Sequence, residues 1–127
     1  MRRIVLIEDD ANSVRMVTRL LERAGYEVQS TSEGEAGLEL AAEVQPDVVL
    51  VDLGLPDIDG QTIIAVLRQR TDLARTAVVA FTAWPEETAH AMLQAYGCDG
   101  VITKPINTRT FAQQVARYFQ VQANAEG

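Results

Sequence analysis

The sequence predicts an α/β fold in which five β-α units form a doubly wound sheet of five parallel strands. Short apolar runs of strand length alternate with amphipathic segments of helix length along the whole chain. Runs such as Ile4-Val5-Leu6-Ile7 and Val48-Val49-Leu50-Val51 are apolar at every position, which is typical of parallel strands buried on both faces. Strands joined by helices need right-handed crossovers and therefore lie parallel. The 127 residues suit one domain with a single core.

The first half of the chain contains two helix patterns with recognisable ends. The first has an apolar stripe at spacings of three and four residues, and Gly25 provides its C-terminal stop. The second opens with Ser32 and Glu35, a Ser-x-x-Glu capping box. A short, more polar run between the two helices indicates an edge strand. The elements expected are a strand at 3–7, a helix at 12–24, the edge strand at 26–30, a helix ending before Pro46, and a strand at 47–51.

The second half repeats the alternation. Asp59 is a candidate cap for the third helix, and Pro85 suits the first turn of the fourth helix, where Glu86 and Glu87 favour the positive end of the helix dipole. We expect one domain over 1–121 and a frayed tail at 122–127. The elements expected are a helix at 60–70, a strand at 77–81, a helix ending near 96–97, a strand at 100–103, and a helix starting near Asn107.

Composition excludes several classes of protein. The net charge of −7 argues against an extended nucleic-acid surface, because such a surface needs many Lys and Arg side chains. No apolar stretch approaches the ~18–20 residues that a membrane helix needs. The single cysteine, Cys98, has no partner for an internal disulfide. We therefore expect a cytoplasmic protein that neither spans a membrane nor binds nucleic acid directly.

Polar residues with distinct chemistry follow four of the predicted strands. Glu8 and Asp9 follow the first, Asp52 ends the third, Thr82 ends the fourth, and Lys104, the only lysine, follows the fifth. Ligands of open parallel sheets bind at the carboxyl ends of the strands, where strand order reverses. We therefore expect these side chains to form one composite site.

The residue types of this site suit transfer of a phosphoryl group to Asp52. Three carboxylates close together repel one another unless a cation lies among them, and hard oxygen ligands suit Mg²⁺, to which a backbone carbonyl after Asp52 could add. Asp10 is expected to point elsewhere, because adjacent residues cannot all face one spot. Lys104, Thr82 and a nearby backbone N–H would form a clamp for anionic oxygens. No general base is needed, since Asp52 is already ionised.

Four motifs match a known family. They are Ile-Glu-Asp-Asp at 7–10, Val-Asp-Leu-Gly-Leu-Pro-Asp-Ile-Asp-Gly at 51–60, Phe-Thr-Ala at 81–83 and Thr-Lys-Pro at 103–105. With them the chain, from Arg3 to about Val121, resembles the receiver domain of bacterial response regulators. The resemblance implies the flavodoxin-like fold, with strand order 2-1-3-4-5, and a role in two-component phosphorelay signalling. It also implies a phosphoacceptor that assists its own phosphorylation and dephosphorylation but is not otherwise an enzyme.

The resemblance also implies a role for each matching residue. Asp52 would accept phosphate from a histidine kinase or a histidine phosphotransfer protein. Glu8 and Asp9 would hold Mg²⁺ together with Asp52 and the Gly54 carbonyl. The phosphoryl-binding groups would be Thr82, the Ala83 N–H and Lys104, and the bond between Lys104 and Pro105 would be cis.

Three positions depart from the family pattern or vary within it. The family often places an aromatic switch residue three positions before the lysine, and it acts together with the hydroxyl that corresponds to Thr82. Here that position holds Val101, an aliphatic side chain that cannot make the same swing. The positions two residues after Asp52 and two after Thr82 tune phosphate hydrolysis in the family, and here they hold Gly54 and Trp84. We expect the lifetime of the phosphate to depend on Trp84.

Two other functions, a phosphatase and a flavin-binding protein, conflict with residues of the expected site. A phosphatase of the haloacid-dehalogenase type needs a second Asp two residues after the nucleophile, where this chain has Gly54. A flavodoxin needs an anion-binding loop after the first strand, where Glu8, Asp9 and Asp10 would repel a phosphate. Within the receiver class, a free-standing receiver is expected, and a receiver excised from a larger regulator or hybrid kinase is the alternative. Its target would bind the fourth helix, fifth strand and fifth helix, and the protein would be a monomer or weak dimer.

Overall fold

In the computed structural model of this chain, five parallel strands lie in the order β2-β1-β3-β4-β5, as expected. The structure describes residues 1–126, with side chains described as far as Phe119. The strands are β1 (Arg3–Ile7), β2 (Glu27–Thr31), β3 (Val48–Asp52), β4 (Ala77–Thr82) and β5 (Gly100–Thr103). The helices are α1 (Ala11–Arg23), α2 (Gly34–Val44), α3 (Gly60–Gln69), α4 (Glu86–Gln94) and α5 (Phe111–Glu126), with a short 3₁₀ turn at Thr71–Leu73.

The sheet separates two apolar cores, because alternate side chains of each strand point to opposite faces. On one face, Leu6 and Leu50 pack with Val17 of α1 and Phe111 of α5. On the other face, strand residues such as Val49 pack with α2, α3 and α4. The central strands β3 and β4 are buried along their whole length, whereas β2 is half exposed at the sheet edge, as its polar sequence predicts.

The expected capping box at the start of α2 is wrong. The N-cap residue is Glu33, which makes no side-chain capping bond. Instead, the N–H groups of Gly34 and Glu35 donate to the carboxylate of Asp57, at 2.8 and 3.1 Å. Asp57 lies in the loop between β3 and α3, so this cap comes from a distant part of the chain and no local pattern could reveal it.

Several helix ends also differ from the sequence-based expectation. Pro85 is the N-cap of α4 rather than part of its first turn, and α4 ends at Gln94. Helix α5 begins at Phe111 because the side chain of Asn107 accepts from the N–H of Arg109 and holds 107–110 as a turn. The expected cap at Asp59 is confirmed, with Thr62 N–H donating at 2.8 Å.

The expected domain boundary at 121 lies within the last helix, α5. Helix α5 is assigned as far as Glu126, and the expected frayed tail at 122–127 falls where side chains, and residue 127 altogether, lie outside the described part. The domain boundary at 121 therefore stays a prediction. Within residues 1–126, no helix combines the length and the apolar character required to span a bilayer.

Candidate functional site

Adjacent strands bring the carboxylates of Glu8 and Asp52 together. Ile7 of β1 is paired with Val51 of β3. The next residue along each chain segment, Glu8 and Asp52, therefore lies at the same edge of the sheet. Glu8 is 1 % exposed and Asp52 is 8 % exposed, whereas Asp9 lies on the surface. Carboxylate oxygens of the three residues lie within 4.8 Å of one another. This donor set of hard oxygens suits a divalent cation such as Mg²⁺.

Asp10 stands apart from this cluster, as expected. Its side chain caps α1 by accepting from the N–H of Ser13 at 3.1 Å and from the Ser13 hydroxyl at 2.7 Å. The bonds from the Ser13 hydroxyl and the Ser13 N–H lower the pKa of Asp10. The carboxylate also lies at the start of the helix, where negative charge is favourable. The third acid after β1 therefore has a structural role.

The ammonium of Lys104 joins the buried carboxylates. Its Nζ atom lies 2.5 Å from Oε1 of Glu8 and 3.5 Å from Oδ1 of Asp52. The same nitrogen lies 4.7 Å from the centroid of the Phe81 ring, which gives the cation a further favourable contact. The peptide bond from Lys104 to Pro105 is cis, as the family resemblance implies.

The two buried acids, Glu8 and Asp52, have pKa values shifted in opposite directions. Burial, together with the hydrogen bond to Asp52, raises the pKa of Glu8 to about 7, against the lowering effect of Lys104. Burial also acts to raise the pKa of Asp52, but the bond to Glu8, the Gly54 amide and the Lys104 ammonium outweigh it and hold that pKa below its ordinary value. Without a cation, the pair therefore keeps Asp52 ionised, and Glu8 is about half protonated near pH 7 and mostly protonated in more acidic solution.

Gly54 contacts Asp52 through its backbone. Its N–H donates to Oδ1 of Asp52 at 3.1 Å. A Cβ atom built at Gly54 would lie 3.8 Å from that oxygen and would meet no other atom within 4 Å. The absent side chain therefore leaves open space beside the carboxylate.

Thr82 lies at the same edge with its hydroxyl turned towards the following loop. The side chain is 2 % exposed, and its Oγ1 accepts from the backbone N–H of Trp84 at 3.0 Å. The Thr82 carbonyl accepts from the N–H of Lys104 at 2.7 Å, so β4 and the loop after β5 are directly joined. The indole of Trp84 is partly buried against the core beneath α4. Ala83, between Thr82 and Trp84, is exposed.

Val101 lies away from the cluster of acids. It pairs with Ala80 in the β4–β5 register, is 9 % exposed and packs in the core shared with α4. A cavity of about 110 Å³ lies beside it, bordered by His90 and Leu93 of α4 and by Cys98. The predicted site residues therefore gather in one place except for Val101 and the Trp84 side chain.

Two features of the site region escaped sequence analysis. One is the Phe81 ring beneath Lys104, for which the only available signal is its place one residue before Thr82. The other is an open cleft of about 510 Å³ beside Lys104. The cleft is lined by Ser13, Met16, Phe81, Ala83, Lys104, Pro105 and Ile106. It joins α1 to the loop after β5, and those segments are too far apart in sequence for any local pattern to connect them.

The chain was compared with protein families, curated proteins and solved structures. A family model described as the response regulator receiver domain matches residues 4–116. The polar-differentiation response regulators DivK of Brucella anthropi and Brucella ovis are each 30% identical over 115 residues, which is 91% of this chain and 94% of the relative.

Solved structures resemble the chain over nearly its whole length. A putative response regulator from Chloroflexus aurantiacus has a TM-score of 0.87 at 25% identity, covering 94% of this chain and 98% of that one. The chemotaxis response regulator CheY4 of Vibrio cholerae has a TM-score of 0.87 at 24% identity, covering 93% and 98%, and at that identity shows the fold alone.

Proposed function

This chain belongs to the response regulator receiver domain family, the phosphoacceptor domains of two-component phosphorelay signalling, and on that premise we propose that Asp52 is its phosphoacceptor. Receiver domains of this family bind Mg²⁺ at an acidic pocket and interact with kinases and downstream targets. The observation that carries the proposal is a cluster of three carboxylates, two of them buried, with the only lysine of the chain held against the two buried ones.

In the proposed reaction, an oxygen of Asp52 attacks the phosphorus of a phosphohistidine in line with the P–N bond. The new O–P bond forms as the P–N bond breaks, and the electron pair stays on the imidazole nitrogen, which takes a proton from water. The lowered pKa of Asp52 supports this role, because the nucleophile is ionised without a base.

The neighbouring groups neutralise charge on the transferred phosphoryl oxygens. Lys104 offers an ammonium, Thr82 a hydroxyl and Ala83 a backbone N–H. Glu8, Asp9 and Asp52, with the Gly54 carbonyl, would hold Mg²⁺, which supplies positive charge to the phosphoryl oxygens when bound. Burial, followed by the bond to Asp52, raises the pKa of Glu8, and a bound cation would favour the charged form of this carboxylate.

The signal is proposed to leave through Thr82 rather than through an aromatic switch residue. Val101 is aliphatic and packed in the core, so it has no ring to turn inward. Thr82 instead holds the Trp84 amide, and a turn of its hydroxyl towards a phosphoryl group would change how the loop before α4 is held. Gly54 and Trp84 are proposed to set how long the phosphate persists, and the domain itself to assist phosphorylation and hydrolysis.

The partners are proposed by position. A histidine kinase or histidine phosphotransfer protein would dock over α1, where the cleft offers apolar Met16, Pro105 and Ile106 beside the ammonium of Lys104. A downstream protein would bind the face of α4, β5 and α5. We place the protein in the cytoplasm on the strength of these proposed partners.

Incubation with Mg²⁺ and acetyl phosphate, followed by intact mass spectrometry, tests the proposal. One added phosphoryl group is expected in the wild type, and none in Asp52→Ala or after treatment with EDTA. Asp10→Ala is the matched control: it removes a neighbouring carboxylate that caps α1 and lies outside the cluster, so it should still gain the group. A wild type that gains no mass, or an Asp52→Ala variant that does, would contradict the proposal.

A further inference from the structure

Helices α1 and α2 carry rows of opposite charge with identical spacing. Arg15, Arg19 and Arg23 of α1, here called the arginine row, are all exposed, and so are Glu35, Glu39 and Glu43 of α2, the glutamate row. Residues four apart lie one above another on a helix, about 6 Å apart along its axis. Each row is therefore a line of three like charges.

Each row is electrostatically unfavourable within its own helix, because like charges four residues apart repel. Within the described residues, no member of either row forms an ion pair with another charged side chain. The guanidinium of Arg15 donates to the side-chain Oδ1 of Asn12, at 2.5 Å. Attraction to a row of opposite sign on another molecule would offset this repulsion within the row.

The two rows of one molecule cannot meet. Helix α1 packs through Val17 and Leu21 on the face of the sheet that also carries α5, whereas α2 packs through Ala41 and Val44 on the opposite face. The rows occupy the sides of these helices that point away from the sheet. Only another molecule can therefore bring an unlike row into contact with either of them.

The surface beside the arginine row is shallow and open. An open groove of about 660 Å³ runs along α1, lined by the three arginines, Val14, Thr18, Glu22 and Ser30 of β2. The three arginines line this space and are exposed, so acidic side chains of a second molecule have access to them. The glutamate row matches the arginine row in number and spacing and is opposite to it in sign, and every molecule carries both.

We propose that the arginine row of one copy binds the glutamate row of a second copy. Because the rows lie on opposite faces, the contact is head-to-tail, and each new copy presents a free row for the next. Exposed ion pairs contribute little each, and the net charge of −7 opposes approach. The association is therefore weak and sensitive to salt, and it matters where the protein is locally concentrated.

Sedimentation equilibrium over a range of protein concentrations tests the proposal. At about 50 mM salt, the average mass of the wild type should rise above the monomer mass of 13.9 kDa as concentration increases, and it should return towards that mass at about 0.5 M salt. Reversing one row, as R15E/R19E/R23E or as E35R/E39R/E43R, should weaken association at least about tenfold.

Charge-reversed pairs separate this contact from a general charge effect. Neither single-row variant should self-associate, but the two mixed together should, because every contact again joins unlike rows. The variant with both rows reversed keeps the net charge of −7 and should associate like the wild type. As a control, E86R/E87R alters charge on the exposed start of α4 and should not abolish association.

A wild type that stays monomeric at every salt concentration overturns the proposal, even if an acidic partner protein is later found on the arginine row. Mixed variants that stay monomeric while the wild type associates overturn it as well. Circular dichroism and thermal melts of the same variants check that each is folded, and neither measurement depends on the proposed function.

Discussion

The ammonium of Lys104 lies 2.5 Å from the carboxylate of Glu8 and is a full ångström farther from Asp52, at 3.5 Å. The only lysine is thus held mainly by the acid beside the proposed phosphoacceptor. A phosphoryl group on Asp52 would compete with Glu8 for the same cation. Replacing Lys104 therefore tests the charge clamp separately from the nucleophile.

Lys104→Met should slow phosphorylation by acetyl phosphate at least about tenfold, because a charge-stabilising donor is lost in the transition state. Lys104→Arg is the matched control and should retain more of the rate, since the cation remains. Mg²⁺ binding, followed by calorimetry, should persist in both variants. Equal rates in Lys104→Met and the wild type would remove Lys104 from the proposed mechanism.

Mg²⁺ affinity should depend on pH through Glu8. Since the pKa of Glu8 is raised to about 7 in the metal-free protein, Glu8 holds a proton below that pH, and the cation must displace it. Affinity should rise as pH increases from about 6 to about 8, and protons should be released on binding at pH 6. Isothermal titration in buffers of different ionisation enthalpy counts these protons. In Glu8→Gln the proton release should vanish; release that persists would assign the proton elsewhere.

The stability of the metal-free protein should fall over the same range of pH. A carboxyl group whose folded-state pKa is raised from 4.5 to about 7 favours the folded state below pH 4.5, and this contribution is lost as pH rises towards 7. The lowered pKa of Asp52 acts only in more acidic solution, below the ordinary value of 3.8. Thermal melts in EDTA should show a lower Tm at pH 8 than at pH 6. Glu8→Gln should flatten this difference, and a Tm that rises with pH in the wild type would contradict the expectation.

The lifetime of phosphorylated Asp52 should depend on Trp84. Its amide is held by the Thr82 hydroxyl, and its indole is partly buried next to the site loop, so truncation changes both packing and water access. Trp84→Ala should alter the dephosphorylation rate by about threefold or more, and Trp84→Phe, which keeps an aromatic ring, should change it less. The rate is followed by the loss of label after the donor is removed. An unchanged rate in Trp84→Ala would show that the indole is ordinary packing.

The distant cap of α2 should be detectable in unfolding. Asp57→Ala removes the acceptor for two N–H groups at the start of the helix and should lower Tm by about 4 °C. Ser32→Ala is the matched comparison, because the sequence suggests a cap at Ser32 and the structure uses none there. It should leave Tm within about 1 °C of the wild type. Equal shifts for the two variants would contradict the long-range cap.

The fold and the gathering of four polar side chains at one sheet edge were predictable from sequence patterns alone. Periodicity separates strands from helices because burial on a sheet and burial on a helix repeat at different intervals, and strand β5 was expected at its observed bounds. Glu8, Asp52, Thr82 and Lys104 were expected together because parallel strands end at one edge, and the structure brings them to that edge.

The pairing of those groups became visible only in the folded structure. That Lys104 is nearer to Glu8 than to Asp52, that Thr82 holds the amide of Trp84, and that Asp57 caps α2 all depend on distances between segments far apart in sequence. Local patterns carry no such distances. The same reason explains Glu8: its residue type suggests a metal ligand, but its burial beside Asp52, which raises its pKa to about 7, exists only once the strands have packed.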